Sequence, residues 1–156
     1  MTSWKIRVTG DEDAERALRG FVATMLDLRP FWPLVVPMFI RWMREQFESE
    51  GAWGGSKWAP LTPAYAAYKA THFPGQSILI AHGKLRAAAS SPERLATPSS
   101  LTLFILDPKA EFHQDGTPRM VKRQIIPDNL PAEADLDLHE LADRYVAEAV
   151  ARFGLS

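Results

Sequence analysis

The 156-residue sequence contains no cysteine, and its positive and negative charges nearly cancel. The absence of cysteine excludes disulfide bonds and thiolate metal ligands, and it agrees with a reducing compartment. The net charge of −1 argues against a general nucleic-acid binder, which usually carries an excess of basic residues. The remaining composition, with 46% hydrophobic and 24% charged residues, is typical of one soluble domain with a hydrophobic core.

The sequence also lacks a hydrophobic run long enough to cross a membrane. Residues 1–9 have no apolar stretch of the kind found in signal peptides. The most apolar stretch, residues 31–43, is shorter than the roughly 20 residues that span a bilayer. It also contains two prolines and an arginine. We therefore expect a soluble cytoplasmic protein with no membrane partner.

No motif specific for catalysis or metal binding is present in the sequence. The four histidines lie in different predicted elements, and none shows the spacing of a zinc site. There is no Gly-x-Ser-x-Gly nucleophile elbow. The dipeptide Gly83-Lys84 lacks the other residues of a phosphate-binding loop. We therefore predict a protein that is not an enzyme, with no catalytic residue, metal or cofactor.

Apolar residues at three- and four-residue spacing predict helices near both ends of the chain. The first helix follows Thr9, its predicted N-cap, and ends before Pro30. A second helix covers the apolar pattern up to Phe47, and it either begins near Pro37 or is kinked there. The last helix begins at Asp137, after a linker, and carries an unbroken apolar stripe.

Shorter elements are predicted in the middle of the chain. Thr62-Pro63 and the region near His82 begin two short helices. Alternation predicts a strand over residues 100–106, paired with one near residues 93–97, and further strands over residues 4–8 and 121–126. The predicted fold is α+β, with helices packed on a small, mostly antiparallel sheet and a long C-terminal amphipathic helix. We expect a single domain over residues 1–156, with a mobile loop near 50–57 and a projecting hairpin or loop near 107–127.

Two groups of side chains are candidates for contacts with a partner. Trp58 and Leu61 lie next to prolines, and they either anchor a loop to the core or contact a neighbouring subunit, because aromatic residues are enriched at interface centres. A basic cluster surrounds the predicted hairpin. Its residues form a solvated face, meet an acidic partner surface, or meet DNA: Lys109, Arg119, Lys122 and Arg123.

The order of several short motifs resembles a known family. A helix ending in Phe is followed by Trp-x-Pro-Leu, a leucine with Gly-x-Leu, His-Gln-x-Gly, and a segment with Arg and Pro. The matching positions are Phe47, Trp58, Pro60, Leu61, Leu79, Gly83, Leu85, His113, Gln114, Gly116, Arg123 and Pro127. Over residues 36–127 this pattern resembles the phage virion morphogenesis family, the tail-completion proteins of Mu-type phages. The segment at residues 121–127 departs from the Pro-Arg-Pro-Phe form common in that family.

The resemblance implies a structural assembly protein of a phage or prophage virion, acting in tail completion or head–tail joining. It implies a homo-oligomeric ring that contacts the tail tube and the neck or connector proteins, with DNA passing through its lumen as a further partner. The implied location is the tail or neck of the virion, and the host cytoplasm during assembly. The candidate interface residues are Trp58, Leu61, His113, Gln114, Lys122 and Arg123.

Two alternatives remain open on the residues alone. The first is a small hydrolase that uses His113 and Asp115. The second is a DNA-binding or regulatory module that uses the basic cluster, which predicts salt-dependent binding to duplex DNA.

Overall fold

A computed structural model describes residues 12–155 of the chain. These residues form six α-helices, a single turn of 3-10 helix and one two-stranded antiparallel sheet. The predicted α+β fold with a small antiparallel sheet and a long C-terminal helix is confirmed. The helices are α1 (Glu12–Leu26), α2 (Trp32–Glu48), α3 (Pro63–His72), α4 (Lys84–Ser90), α5 (Pro108–Asp115) and α6 (Ala132–Arg152), and the strands are β1 (Glu93–Ala96) and β2 (Leu101–Phe104).

The hydrophobic core is built around the second half of α2. Phe47 is fully buried, and its ring meets the Trp58 indole edge-on at a centroid distance of 5.4 Å. α4 packs on α2 through Leu85 and Ala89, and α6 packs on it through Ala134. Apolar side chains far apart in sequence thus share one contiguous core.

α2 begins earlier than its apolar pattern predicts. It starts at Trp32, with Pro33 in its first turn, and it continues through Pro37. Proline is favoured at a helix start because the first N–H groups have no partner inside the helix. Of the two predicted alternatives, a start near Pro37 is therefore wrong. The Trp32 indole N–H donates to the Thr97 carbonyl at 2.7 Å, which ties this end of α2 to the turn between the two strands.

The predicted pairing of residues 100–106 with residues 93–97 is confirmed, whereas the strand predicted over residues 121–126 is wrong. β1 and β2 pair antiparallel, with Glu93 opposite Phe104. Residues 121–126 form no strand, and the backbone bends at residues 125 and 126. The alternating pattern was misleading because side chains, described below, form hydrogen bonds with the backbone of this segment in place of a neighbouring strand. The strand predicted over residues 4–8 and the Thr9 cap lie outside the described residues.

Two further boundaries differ from the prediction. The region near 107–127 holds a helix, α5, in its first half, because Asp107 accepts a hydrogen bond from the backbone N–H of Lys109 at 2.8 Å and Pro108 follows as the first helical residue. α6 begins at Ala132, inside the predicted linker, and not at Asp137. Pro131 fits the position just before a helix, and acidic residues in the first turn suit the helix dipole.

α1 lies at the edge of the molecule and packs against α6. At Gly20 the two helices come so close that a Cβ atom would overlap the ring of Phe153. α1 nevertheless contains no buried residue. Among residues 12–155, no helix has the length and apolarity needed to cross a bilayer.

Candidate functional site

Trp58 belongs to the interior of the protein and not to its surface. It is buried, and its indole N–H donates to the Gln124 carbonyl at 2.7 Å. The preceding loop folds tightly around the ring, since Gly51 has a φ of +92° and a Cβ there would lie 2.5 Å from Trp58 Cδ1. The burial of Trp58 supports its interpretation as an anchor of the loop, and its contact with a neighbouring subunit stays a prediction. The predicted mobility of residues 50–57 stays a prediction.

The Gln114 side chain forms hydrogen bonds with the backbone of residues 125 and 126, which follow α5 in the chain. Its side-chain oxygen accepts from the backbone N–H groups of Ile125 at 2.9 Å and Ile126 at 3.0 Å, and its amide donates to the Ile126 carbonyl at 2.7 Å. These bonds take the place of a neighbouring strand. Gln114 is thus engaged within the subunit, and this contact explains why residues 121–126 alternate like a strand without joining a sheet.

A cleft of about 660 Å³ opens in front of this interior. Its walls come from the start of α3, from residues 79–85, and from α5 with residues 119–123. This volume lies within the range of roughly 300–1,000 Å³ that is typical of binding pockets. Of the predicted interface residues, Leu61, His113 and Arg123 line the cleft, whereas exposed Lys122 does not.

The cleft is strongly basic although the whole chain is not. Its lining contains a single carboxylate, that of Asp107, which accepts the capping hydrogen bond in α5. Clustered charge of one sign in a concave site produces a focused potential even when the net charge is small. We call this site the basic cleft, and its cationic residues are Lys69, Lys84, Lys109, Arg119 and Arg123.

Arg123 lies inside the protein, so its predicted place in a solvated basic face is wrong. Its side chain is only 7% exposed. Nε donates to the Ala59 carbonyl at 2.7 Å and Nη2 donates to the Pro60 carbonyl at 2.8 Å. Arg123 thereby binds the backbone of the Trp-x-Pro-Leu motif. It forms no salt bridge with any carboxylate of residues 12–155.

Lys69 is a second buried cation of the cleft, and the sequence analysis did not single it out. It is 6% exposed, and its Nζ donates to the Ser77 carbonyl. Burial lowers the pKa of Lys69, and the charge of Glu50 opposes this effect. No sequence signal marks this lysine, because α3 carries it among alanines and tyrosines that are mostly exposed.

His113 faces a basic environment that favours its neutral form. Burial lowers the pKa of His113, the positive charges of Arg123 and Lys109 lower it further, and Asp107 opposes them. Its Nδ1 atom is buried and has no hydrogen-bond partner within the described part of the chain. Asp115 lies two residues further along α5, and residues at this spacing do not face each other on a helix. The structure therefore does not bring His113 and Asp115 together as an acid–base pair.

Neither metal-ligand geometry nor similarity to known proteins adds a functional residue to the basic cleft. Within residues 12–155, no group of three or more His, Asp or Glu side chains could hold a metal ion. Comparison of the chain with protein-family models, with curated proteins and with solved structures found no match.

Proposed function

We propose that this protein is a structural subunit of a phage or prophage virion, acting in tail completion or head–tail joining as a ring of identical subunits. The proposal begins from the motif resemblance over residues 36–127. The observation that supports it best is an apolar helix face that residues 12–155 leave uncovered.

The uncovered face is a stripe on α1 formed by Leu18, Val22 and Leu26. These residues follow one another at four-residue spacing, and they are 53%, 50% and 72% exposed. A helix with such a stripe normally buries it against a core. A 15-residue helix is also only marginally stable by itself in water. The α1 stripe therefore fits a surface that a neighbouring molecule covers.

Large apolar side chains are exposed on other elements too, among them Leu95 on β1 and Leu136 on α6. A subunit that is completed by its neighbours has this property.

A ring of identical subunits needs only one kind of interface. An interface between two different patches of identical subunits repeats from one subunit to the next, and it closes when the rotation allows. Such work requires shape and apolar contact and no catalytic group. The proposed partners are copies of the chain, the tail tube and the neck or connector proteins, with DNA passing through the ring.

The decisive experiment measures the mass of the purified protein by light scattering, alone and with tail tubes. We expect a discrete oligomer in at least one of the two conditions. The variant Leu18→Glu/Val22→Glu should weaken assembly, because it places two charges in the apolar contact. Arg16→Glu is the matched control, since it changes the net charge by the same amount on the polar side of α1.

Two outcomes would contradict the proposal. A chain that stays monomeric at all concentrations and never binds tail tubes is not an assembly subunit. Salt-dependent binding of duplex DNA by such a monomer would favour the DNA-binding alternative. Under the proposal, His113→Ala leaves assembly mostly intact, whereas the hydrolase alternative requires that it abolish turnover.

A further inference from the structure

We propose that the basic cleft is the acceptor half of the contact between subunits, and that it binds the acidic segment at residues 128–140 of a second copy of this chain. The inference rests on the proposed function, because it assigns two charged surfaces that meet, in addition to the α1 stripe, when identical subunits assemble. It is carried by the charge of the cleft, by the chemistry of the segment, and by where each lies in the subunit.

The first observation is that the cleft contains two buried cations that form no salt bridge with a described residue, although the charge of Glu50 acts on Lys69. Arg123 and Lys69 are each more than nine-tenths buried, and neither forms a salt bridge within residues 12–155. Arg123 donates hydrogen bonds to carbonyl groups from two of its five N–H groups. Lys69 does so from one of its three. Buried charges in proteins are normally paired. The five cations of the cleft share one lining carboxylate, that of Asp107, so an anionic ligand would supply negative charge that the cleft itself has little of.

The second observation concerns the mouth of the cleft. Lys84, Lys109 and Arg119 are exposed there, and none forms a salt bridge with a described residue. Apolar side chains such as Leu61 and Val121 lie between these cations. A ligand that fits this surface carries carboxylates beside apolar groups.

The acidic segment has this composition. Residues 124–143 contain six carboxylates and no lysine or arginine. Within them Leu130 and Leu136 are exposed beside Asp128 and Glu133, which form no ion pair among the described residues. Asp137 is different, because it pairs with Arg41 of the same subunit. One side of the segment packs on the core through Ala134 and Leu138, while Asp128, Leu130, Glu133 and Leu136 are exposed on the other side.

The location of the segment makes the contact intermolecular. Two of its leucines, Leu130 and Leu136, are exposed in the subunit, and no leucine of the segment lines the subunit's own cleft. Acceptor and donor are different patches of one chain, so the contact is heterologous, and a heterologous contact closes into a ring or extends into a filament. This matches the geometry that the proposed function needs.

Two charge-reversed full-length variants test the inference. The acceptor variant is Lys109→Glu/Arg119→Glu, and the donor variant is Asp128→Lys/Glu133→Lys. Each variant alone places like charges opposite each other, so its dissociation constant for assembly should rise by more than about 100-fold. In an equimolar mixture every contact between unlike variants brings opposite charges together, so the mixture should assemble within about tenfold of the unchanged protein. Light scattering, alone and with tail tubes, measures all three samples.

The controls separate this inference from the proposed function. Arg86→Glu/Arg94→Glu removes the same number of positive charges from exposed positions outside the cleft, and it should assemble normally. Circular dichroism checks that each variant is folded, and Lys84→Glu/Lys109→Glu replaces an acceptor variant that is not. If the unchanged protein assembles and the acceptor variant assembles equally well, or the mixture is no better than its components, this inference is overturned and the proposed function stands. If the unchanged protein never assembles, both are overturned.

Discussion

The second half of α2 and the whole of α1 carry similar amphipathic patterns, yet the fold treats them differently. α2 buries Trp42, Met43 and Phe47 against four other parts of the chain. α1 buries nothing completely and leaves Leu18 and its neighbours on the stripe in contact with solvent. The difference teaches that an apolar stripe predicts a helix face that becomes covered, while the partner that covers it need not be in the same chain.

The largest expected effect tests the α2 side of this comparison. Phe47→Ala removes a ring that is fully buried against Trp58, so the free energy of unfolding should fall by about 3–5 kcal/mol. Urea unfolding measures it. Phe112→Ala is the matched control, because the same side chain is half exposed there and should cost about 1 kcal/mol or less. Similar losses at both sites would mean that α2 is not the centre of the core.

The next effect concerns the segment behind the basic cleft. Gln114→Ala removes three hydrogen bonds to the backbone of residues 125 and 126, and it should lower the free energy of unfolding by about 2 kcal/mol. Gln114→Glu keeps the acceptor oxygen and loses only the donor to Ile126, so it should cost less. Amide hydrogen exchange at Ile125 and Ile126 should rise in the Ala variant. Unchanged exchange there would show that the side chain does not hold this segment.

A smaller effect is the pH dependence of stability that His113 contributes. Its pKa in the folded protein lies below the ordinary value of about 6.5, so the unfolded chain binds a proton first as the pH falls. The free energy of unfolding therefore decreases from pH 7 downward through that value. His113→Gln should flatten this part of the profile, and the same substitution at exposed His72 should not. A profile that His113→Gln leaves unchanged would contradict the assignment.

The smallest effect on stability is expected on α1. Leu18→Ala should change the free energy of unfolding of the monomer by only about 0.5 kcal/mol, because most of this side chain is already in water. The same substitution should weaken assembly measurably. A large loss of monomer stability would show instead that the stripe is covered within one chain.

Sequence reasoning succeeded where the signal was local. Thr62-Pro63 begins α3 as predicted, with the threonine hydroxyl accepting from the Tyr65 N–H at 3.4 Å. β1 and β2 pair as their alternation indicated. α5 was missed because its apolar residues do not follow a helical period, although Asp107-Pro108 is a helix start of the same kind as Thr62-Pro63. Both dipeptides start a helix for the same reason, because a side-chain oxygen caps the first turn and a proline follows it.

The site was harder to predict because charge and burial depend on distant parts of the chain. Lys109 and Arg119 were assigned to a basic cluster and lie in the basic cleft, whereas Lys69 and Lys84 join them from elements far away in sequence. In the sequence Arg123 has the character of a surface residue. In the structure it is buried, and it donates hydrogen bonds to two carbonyl groups some 60 residues earlier in the chain.

By itself, the sequence determined the start of α3 and the pairing of β1 with β2, because caps, turns and periodicity act over a few residues. The tertiary structure alone decided which stripes become core, which stays uncovered, and that five cations converge on one cleft. Those outcomes depend on contacts between residues far apart along the chain, and no local pattern encodes the distance between them.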